Sequence, residues 1–186
     1  MKKDIQLTNR VITLRPYRLN DVDSVYKAVR ESISALSVWM PWCRPDYSLE
    51  DTRAWIESQP DKWENGEEYN FAISHNTGGL YLGGCGLSVI DRGCGTANLG
   101  YWVRMSQTNK GIATAATLLL AQFAFKELKL NRVEFTIAVD NSASLRIADK
   151  VGATREGILR NRVIKNGAPC DAMMFSLIPG DSGVLT

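Results

Sequence analysis

Apolar positions along this chain recur with two different periods, and the switches between them mark out its elements. Residues 11–15 alternate as a short strand, and Asn20 or Asp21 then caps a helix whose apolar positions Val22, Val25, Tyr26 and Val29 fall at helical spacing. Residues 33–47 follow neither period and carry Trp39, Pro41, Trp42 and Pro45 within a few positions. Such an aromatic, proline-rich connection serves equally as plain core or as the wall of a ligand pocket. Ser48 opens a second helix through Gln59, with Asp51 standing at capping-box spacing in place of the usual Glu. Residues 69–75 and 81–89 are strand-like runs joined by the hairpin-type turn Asn76-Thr77-Gly78-Gly79. Gly83, Gly84 and Gly86 in the second run imply a bulge or a close backbone approach. A third strand over residues 97–103 follows the turn Arg92-Gly93-Cys94-Gly95.

The stretch from Tyr101 to Thr114 leaves that third strand, passes through a short polar turn and opens a long apolar helix running to about Leu128. The first turn of a helix carries N–H groups without intrahelical partners, at the positive end of the helix dipole, so a phosphate satisfies them. No Asp or Glu lies between Met105 and Ala113, Lys110 adds positive charge, and Gly111 and Ala113 keep the backbone accessible. A strand-to-helix connection that uses its glycine only to turn fits the same residues. Lys110 precedes the only glycine of the turn, which excludes a Walker-type loop, and the three spaced glycines of a Rossmann fingerprint are missing.

Beyond the long helix, residues 132–139 alternate with Val133, Phe135, Ile137 and Val139 on one face, as a central strand does. Strand, helix and strand form a crossover unit, so this strand runs parallel to the one ending at Val103. Residues 141–151 form an amphipathic helix capped at Asp140 or Asn141 and stopped by Gly152. Strands over 154–165 and 170–178 make a hairpin around Asn166-Gly167, and the first few residues and the tail from Gly180 are expected to fray. With no repeats and no dividing linker, residues 1–186 are expected to form one domain.

Composition narrows the chemistry. A net charge of +2 and a pI near 8.3 imply no broad attraction to nucleic acid or anionic membrane. Arg155, Arg160, Arg162 and Lys165 make a small basic cluster that reads as a solvated or dimer-edge surface. No apolar run approaches a membrane span, and the Met-Lys-Lys start lacks the apolar stretch of a signal peptide, so a cytoplasmic protein is expected. Cys43, Cys85, Cys94 and Cys170 are scattered and His75 is the single histidine, which argues for reduced thiols and against a zinc site or histidine-based catalysis.

Several motifs in order resemble the GCN5-related N-acetyltransferase (GNAT) family, in its RimJ/RimL branch of ribosomal-protein N-terminal acetyltransferases. Asn98-Leu99-Gly100-Tyr101-Trp102 resembles the branch's strand motif and Lys110-Gly111-Ile112-Ala113-Thr114-Ala115-Ala116 its cofactor loop. Leu130-Asn131-Arg132-Val133, Val139-Asp140-Asn141-Ser142-Ala143-Ser144, Glu156-Gly157-Ile158-Leu159-Arg160, Asn166-Gly167 and Asp171 resemble the segments that follow. The resemblance spans residues 11–179. It implies an α/β fold with a central, mostly antiparallel sheet of six to seven strands, splayed between its two parallel central strands and flanked by about four helices.

The resemblance further implies acetyl-CoA as cosubstrate, with no metal. Its pantetheine arm would bond to backbone near Tyr101, Trp102 and Val103, and its pyrophosphate would sit on the N–H groups of Asn109, Lys110, Gly111, Ile112, Ala113 and Thr114. Asn141 matches the position beside the pantetheine and Ser144 the one facing the thioester sulfur, while each is also explained locally, as a helix cap and a first-turn serine. Two positions depart from the branch: Thr108, where Gln or Arg is usual, with Gln107 one place early, and Asn98, where Glu is usual. An amide cannot act as a base. The expected reaction is direct attack of a neutral amine on the acetyl carbonyl, with the Val103 N–H as oxyanion donor and Ser144 as donor to the departing thiolate. Asn98 weakly favours an α-amine, pKa about 7.7 to 8, over a lysine at about 10.4. Glu156 and Asp171 remain open as bases acting through water. Protein N-termini lead the acceptors, small amines such as antibiotics or polyamines are the alternative, and a non-catalytic acetyl-CoA-binding protein stays open. Asp46, Glu50, Asp51 and Glu57 are expected on a solvated face, and relatives with this terminal hairpin often pair, which leaves a homodimer open.

Overall fold

The computed structural model describes residues 5–181. One eight-stranded sheet organises them. Its strands are β1 (Leu7–Thr8), β2 (Ile12–Pro16), β3 (Tyr69–His75), β4 (Tyr81–Asp91), β5 (Thr96–Val103), β6 (Arg132–Ala138), β7 (Thr154–Lys165) and β8 (Ala168–Leu177), in the spatial order β1-β2-β3-β4-β5-β6-β8-β7. Every pair is antiparallel except β5–β6, joined by the crossover helix α4 (Ile112–Lys126). The remaining helices are α1 (Val22–Leu36), α2 (Leu49–Glu57), α3 (Gln59–Asn65) and α5 (Ser142–Lys150), with short 3-10 turns at Leu19–Asp21 and Met105–Gln107.

Alternation along β3 and β4 divides the core between the two faces of the sheet. Phe71, Ile73 and Leu82 pack with Leu120, Phe123 and Ala124 of α4, whereas their neighbours Ala72 and Tyr81 face Val25, Val29 and Ile56 of α1 and α2. Trp63 of α3 completes an aromatic knot with Phe71 and Phe123, its ring centroid 5.0 Å from Phe71. Helix α4 is apolar nearly all round because it packs on the sheet while α3 and α5 cover its flanks.

The glycines of β4 answer two needs. At Gly83, where φ is +153°, a Cβ would lie 2.1 Å from the Trp102 carbonyl oxygen, and the β3–β4 register slips between Ile73 and Ser74. At Gly86 a Cβ would fall 2.0 Å from Asn70 Oδ1. Bulge and close approach are thus both present. Asn166 and Gly167 both take positive φ, 49° and 77°, as a two-residue hairpin turn between right-twisted strands requires.

The structure also corrects the sequence expectations. The sheet has eight strands, because the two-residue edge strand β1 is too short to show any period. Among the described residues five α-helices form: α2 ends at Glu57 and Pro60 sits in the first turn of a new helix, α3, where its missing N–H costs nothing. Helix α1 extends to Leu36, into the stretch expected to be irregular. Asp21 stands at the helix start without capping it, its carboxylate taken by Arg15 and by the Arg18 N–H. Strand β6 stops at Ala138, leaving Val139 exposed instead of on the inward face. The expectation of frayed ends falls mainly on residues 1–4 and 182–186, outside the described residues. Gly180 and Asp181 belong to a turn closed by the Ile178 N–H on Asp181 Oδ2 at 2.9 Å. Among the described residues no helix is long and apolar enough to cross a membrane.

Candidate active site

The two parallel strands are hydrogen-bonded for only three residue pairs, Thr96–Arg132, Ala97–Val133 and Asn98–Glu134. Past Asn98 they separate, and β5 continues alone to Val103. The Arg104 N–H donates to the Leu82 carbonyl, and an antiparallel ladder alternates, so Asn98, Gly100 and Trp102 turn their backbone groups toward β4. Tyr101 and Val103 therefore aim theirs the other way, across the gap toward β6, where no strand pairs with them. Five residues of strand edge are left open to an extended guest.

A cleft of about 170 Å³ occupies this gap. Asn98 and Tyr101 line one wall, Phe135 and Ile137 the other, and Asn141 and Ser144 close the end at the start of α5. Asn141 caps α5, its Oδ1 accepting the Ser144 N–H at 3.2 Å, which leaves its amide NH2 to donate into the cleft. The Tyr101 hydroxyl lies 3.5 Å from the Ser144 carbonyl oxygen, and burial pushes its pKa up to about 12, so it stays protonated. Trp39 and Lys165 roof the cleft: the Lys165 ammonium pairs with Asp140 and sits 4.6 Å from the Trp39 ring centroid.

The turn that follows β5 ends in a bare helix start. Gly111 takes φ +76° and Asn109 φ +61°, so the chain reverses sharply before Ile112 drops into the core. The Ala115 N–H is the first to bond back, to the Gly111 carbonyl at 3.0 Å. The amides of residues 109–114 have no hydrogen-bond partner among the described residues. Among the described residues nothing lies within 4 Å of a Cβ built at Gly111, so this glycine is needed for its backbone conformation and for the open space before it. Gln107 accepts from Lys110 at 2.9 Å, and the departure at Thr108 leaves the amide array intact.

Helix α1 holds this turn in place. The Glu31 carboxylate accepts the Ser106 N–H at 2.8 Å and pairs with the Arg104 guanidinium, while Ser32 Oγ accepts the Met105 N–H at 2.9 Å. These bonds hold the Glu31 pKa down at about 2, below its ordinary value near 4.5.

Next to the cleft, sharing Met40, Gly100 and Tyr101 with it, a larger chamber of about 690 Å³ opens between β4–β5 and the α1–α2 connection. Tyr17, Trp42, Tyr47, Trp55 and Trp102 form much of its wall, so the aromatic connection supplies pocket lining in Trp42 and the cleft roof in Trp39. Trp102 lends its side chain to the chamber, on the face away from Tyr101 and Val103. The carboxylates bordering it are engaged: Asp51 caps α2 by accepting the Ser48 N–H at 2.9 Å, and Glu68 accepts from Asn70 at 2.8 Å and pairs with Lys62 at 3.1 Å. Asp46, Glu50 and Glu57 do not border it and are exposed, whereas Asp51, expected with them on a solvated face, does border it.

Other singled-out residues fall elsewhere. Glu156 is clamped by Arg132 at 2.5 and 2.6 Å and by Ser176 at 2.8 Å, which lowers its pKa to about 2. Asp171 Oδ1 accepts the Asn161 N–H at 2.9 Å. Neither borders the cleft or the chamber. The basic cluster on the terminal hairpin is also partly spent, Arg155 lying over Phe175 and Lys165 over Trp39.

A sheet splayed at its one parallel pair, with bare helix amides beside the split, defines an acetyltransferase of the GNAT fold. Residues 11–154 match the family model described as "Acetyltransferase (GNAT) domain". The chain belongs to the GNAT family and is an N-acetyltransferase. It is 30% identical over 177 residues to "Probable N-acetyltransferase YjcK" of Bacillus subtilis, covering 94% of this chain and 98% of that one. It is 25% identical over 159 residues to the ribosomal-protein-serine acetyltransferase of Escherichia coli, covering 86% and 88%. The crystal structure of microcin C7 self-immunity acetyltransferase MccE, in complex with acetyl-CoA and AMP, superimposes with a TM-score of 0.86 at 26% identity, covering 94% and 99%.

Proposed function

We propose that this chain transfers an acetyl group from acetyl-CoA to an α-amine by direct attack, without an acyl-enzyme. One observation carries this: the parallel pair stops at Asn98 and leaves the backbone of Tyr101 and Val103 open beside the unpartnered amides of residues 109–114. These residues fit acetyl-CoA. Strand edge suits the amide-bearing pantetheine arm, the bare helix start suits a pyrophosphate, and no carboxylate stands between Met105 and Ala113 to repel it. The acetyl-CoA named for the MccE complex and the ribosomal-protein serine named for the E. coli relative support the same donor and acceptor types.

When bound, acetyl-CoA supplies an acetyl thioester whose carbonyl is the electrophile. The Val103 N–H then donates to the oxygen on which negative charge develops. Ser144, which borders the cleft and whose hydroxyl has no hydrogen-bond partner among the described residues, hydrogen-bonds the departing sulfur, and the proton that the attacking nitrogen sheds balances that thiolate as the free thiol of CoA. Asn141 orients the arm through its free NH2 group. Lys165 and Trp39 exclude water from above. The Cys43, Cys85, Cys94 and Cys170 thiols do not border the cleft, so none is placed to take the acetyl group.

Among the described residues no carboxylate lines the cleft, and Asn98 cannot take a proton. The acceptor must therefore arrive neutral. Near pH 7.4 about a quarter of an α-amine with pKa near 7.8 is neutral, against roughly a thousandth of a lysine ε-amine. CoA release, followed with a thiol reagent, tests this with α-amine peptides, Nα-blocked lysine peptides and polyamines. Release with α-amine acceptors at least tenfold faster than with the others is the expected result; release led by blocked lysine peptides or polyamines would overturn the assignment.

A further inference from the structure

Gly100 is the one glycine of β4 and β5 whose missing side chain serves neither backbone nor packing. Its φ lies outside the left-handed region, and a Cβ built on it meets nothing within 4 Å among the described residues. Its neighbours differ: a Cβ at Gly84 would lie 2.3 Å from Tyr17 Oη, and Gly86, directly opposite Gly100, would clash with Asn70. Gly100 is exposed and borders both the cleft and the chamber. The open space at Gly100 thus lies where the two adjoin.

Resting on the acetyl-transfer assignment above, we infer that Gly100 is the passage for the acceptor amine, and that the chamber takes an acceptor whose α-amine is attached to an aromatic body. The walls argue for this. Trp42 is 43% exposed at the chamber, with its ring centroid 5.8 Å from Tyr47 and 6.2 Å from Trp102, so it offers a face that the protein itself does not cover. Tyr17 and Trp55 meet edge to face at 4.8 Å behind it. The bordering charges are already paired, Asp51 with Arg44 and Glu68 with Lys62, so a polycation finds no spare carboxylate. A volume near 690 Å³ is that of a small-molecule pocket, far more than the side chain of an alanine or serine fills.

Initial rates of CoA release with phenylalaninamide, tryptophanamide, alaninamide and serinamide test the inference, alongside quenching of tryptophan fluorescence by phenylalaninamide without acetyl-CoA. The aromatic amides should show kcat/KM at least tenfold above the small ones and a saturable fluorescence change. Trp42→Ala, at a half-exposed position, should cut that ratio to within about threefold. Gly100→Leu, folded by its thermal melt, should lose turnover of the aromatic amides. Equal kcat/KM for all four amides, or a ratio unmoved in Trp42→Ala, overturns the inference while leaving acetyl transfer standing. Saturable quenching with no CoA release from any α-amine overturns the transfer assignment and with it the passage at Gly100, leaving the chamber only as a site that binds aromatic amines. Neither quenching nor release overturns both.

Discussion

At Gly111 the backbone sits at φ +76° in open space, facing the amides that we assign to the pyrophosphate. Asparagine tolerates that conformation and aspartate differs from it by one charge, so the pair isolates electrostatics from strain. Two like charges about 4 Å apart cost roughly 1 kcal/mol in water and about 4 kcal/mol near a protein surface. Gly111→Asp should therefore bind acetyl-CoA at least tenfold more weakly than Gly111→Asn, measured by calorimetry. Equal affinities would show that the turn does not hold the phosphates. The turn was legible because its signals are local: a glycine, a lysine and the absence of acid. Ser144 and Asn141 were legible for the same reason, whereas Gly100 looked like part of a strand motif. Its meaning lies in what is absent around it, which no sequence pattern carries.

Elements meet at the staple between α1 and the phosphate turn. Glu31 and Ser32 lie 73 to 75 residues before the groups they bind, Glu31 exposed and Ser32 buried in the last turns of a helix whose pattern reported only its apolar face. Glu31→Gln removes the charge and keeps the shape. It should raise the KM for acetyl-CoA several-fold with kcat changed less than twofold, since the turn binds but does not react. The Glu31 pKa is depressed from about 4.5 to about 2, so its ion pair stabilises the fold fully above pH about 4.5 and is lost as pH falls toward 2. The gap in melting temperature between wild type and Glu31→Gln should accordingly be present at pH 7 and shrink at pH 3. A gap unchanged at pH 3 would mean that the pair is not its source. The caps at Ser48–Asp51 and Asn141 formed as their spacing requires, because a cap is decided within four residues. Helix α3 and strand β1 escaped notice: one begins immediately after another helix ends, and the other holds two residues against β2.

Across the whole molecule, function depends on a place where the sheet fails to pair. Residues 132–138 alternate whether or not β5 lies beside them, so nothing in their pattern records that the ladder ends at Glu134. The resemblance to a known family supplied the splay, and the structure supplied its extent. The chamber is harder still, built from Tyr17, the connection around Trp42, Glu68 and Trp102, segments brought together only by the fold. Asn98, on the cleft wall, makes the central claim a statement about protons: the enzyme contributes no base, and the acceptor reacts as the neutral α-amine that solution supplies. The pH dependence of kcat/KM reports the ionisations of free enzyme and free acceptor. Measured from pH 6 to 9.5 with two α-amine acceptors whose amine pKa values differ by about one unit, it should rise through the pKa of each acceptor, its midpoint moving by that same unit. A single midpoint shared by both acceptors would place a titrating base on the enzyme and contradict the account.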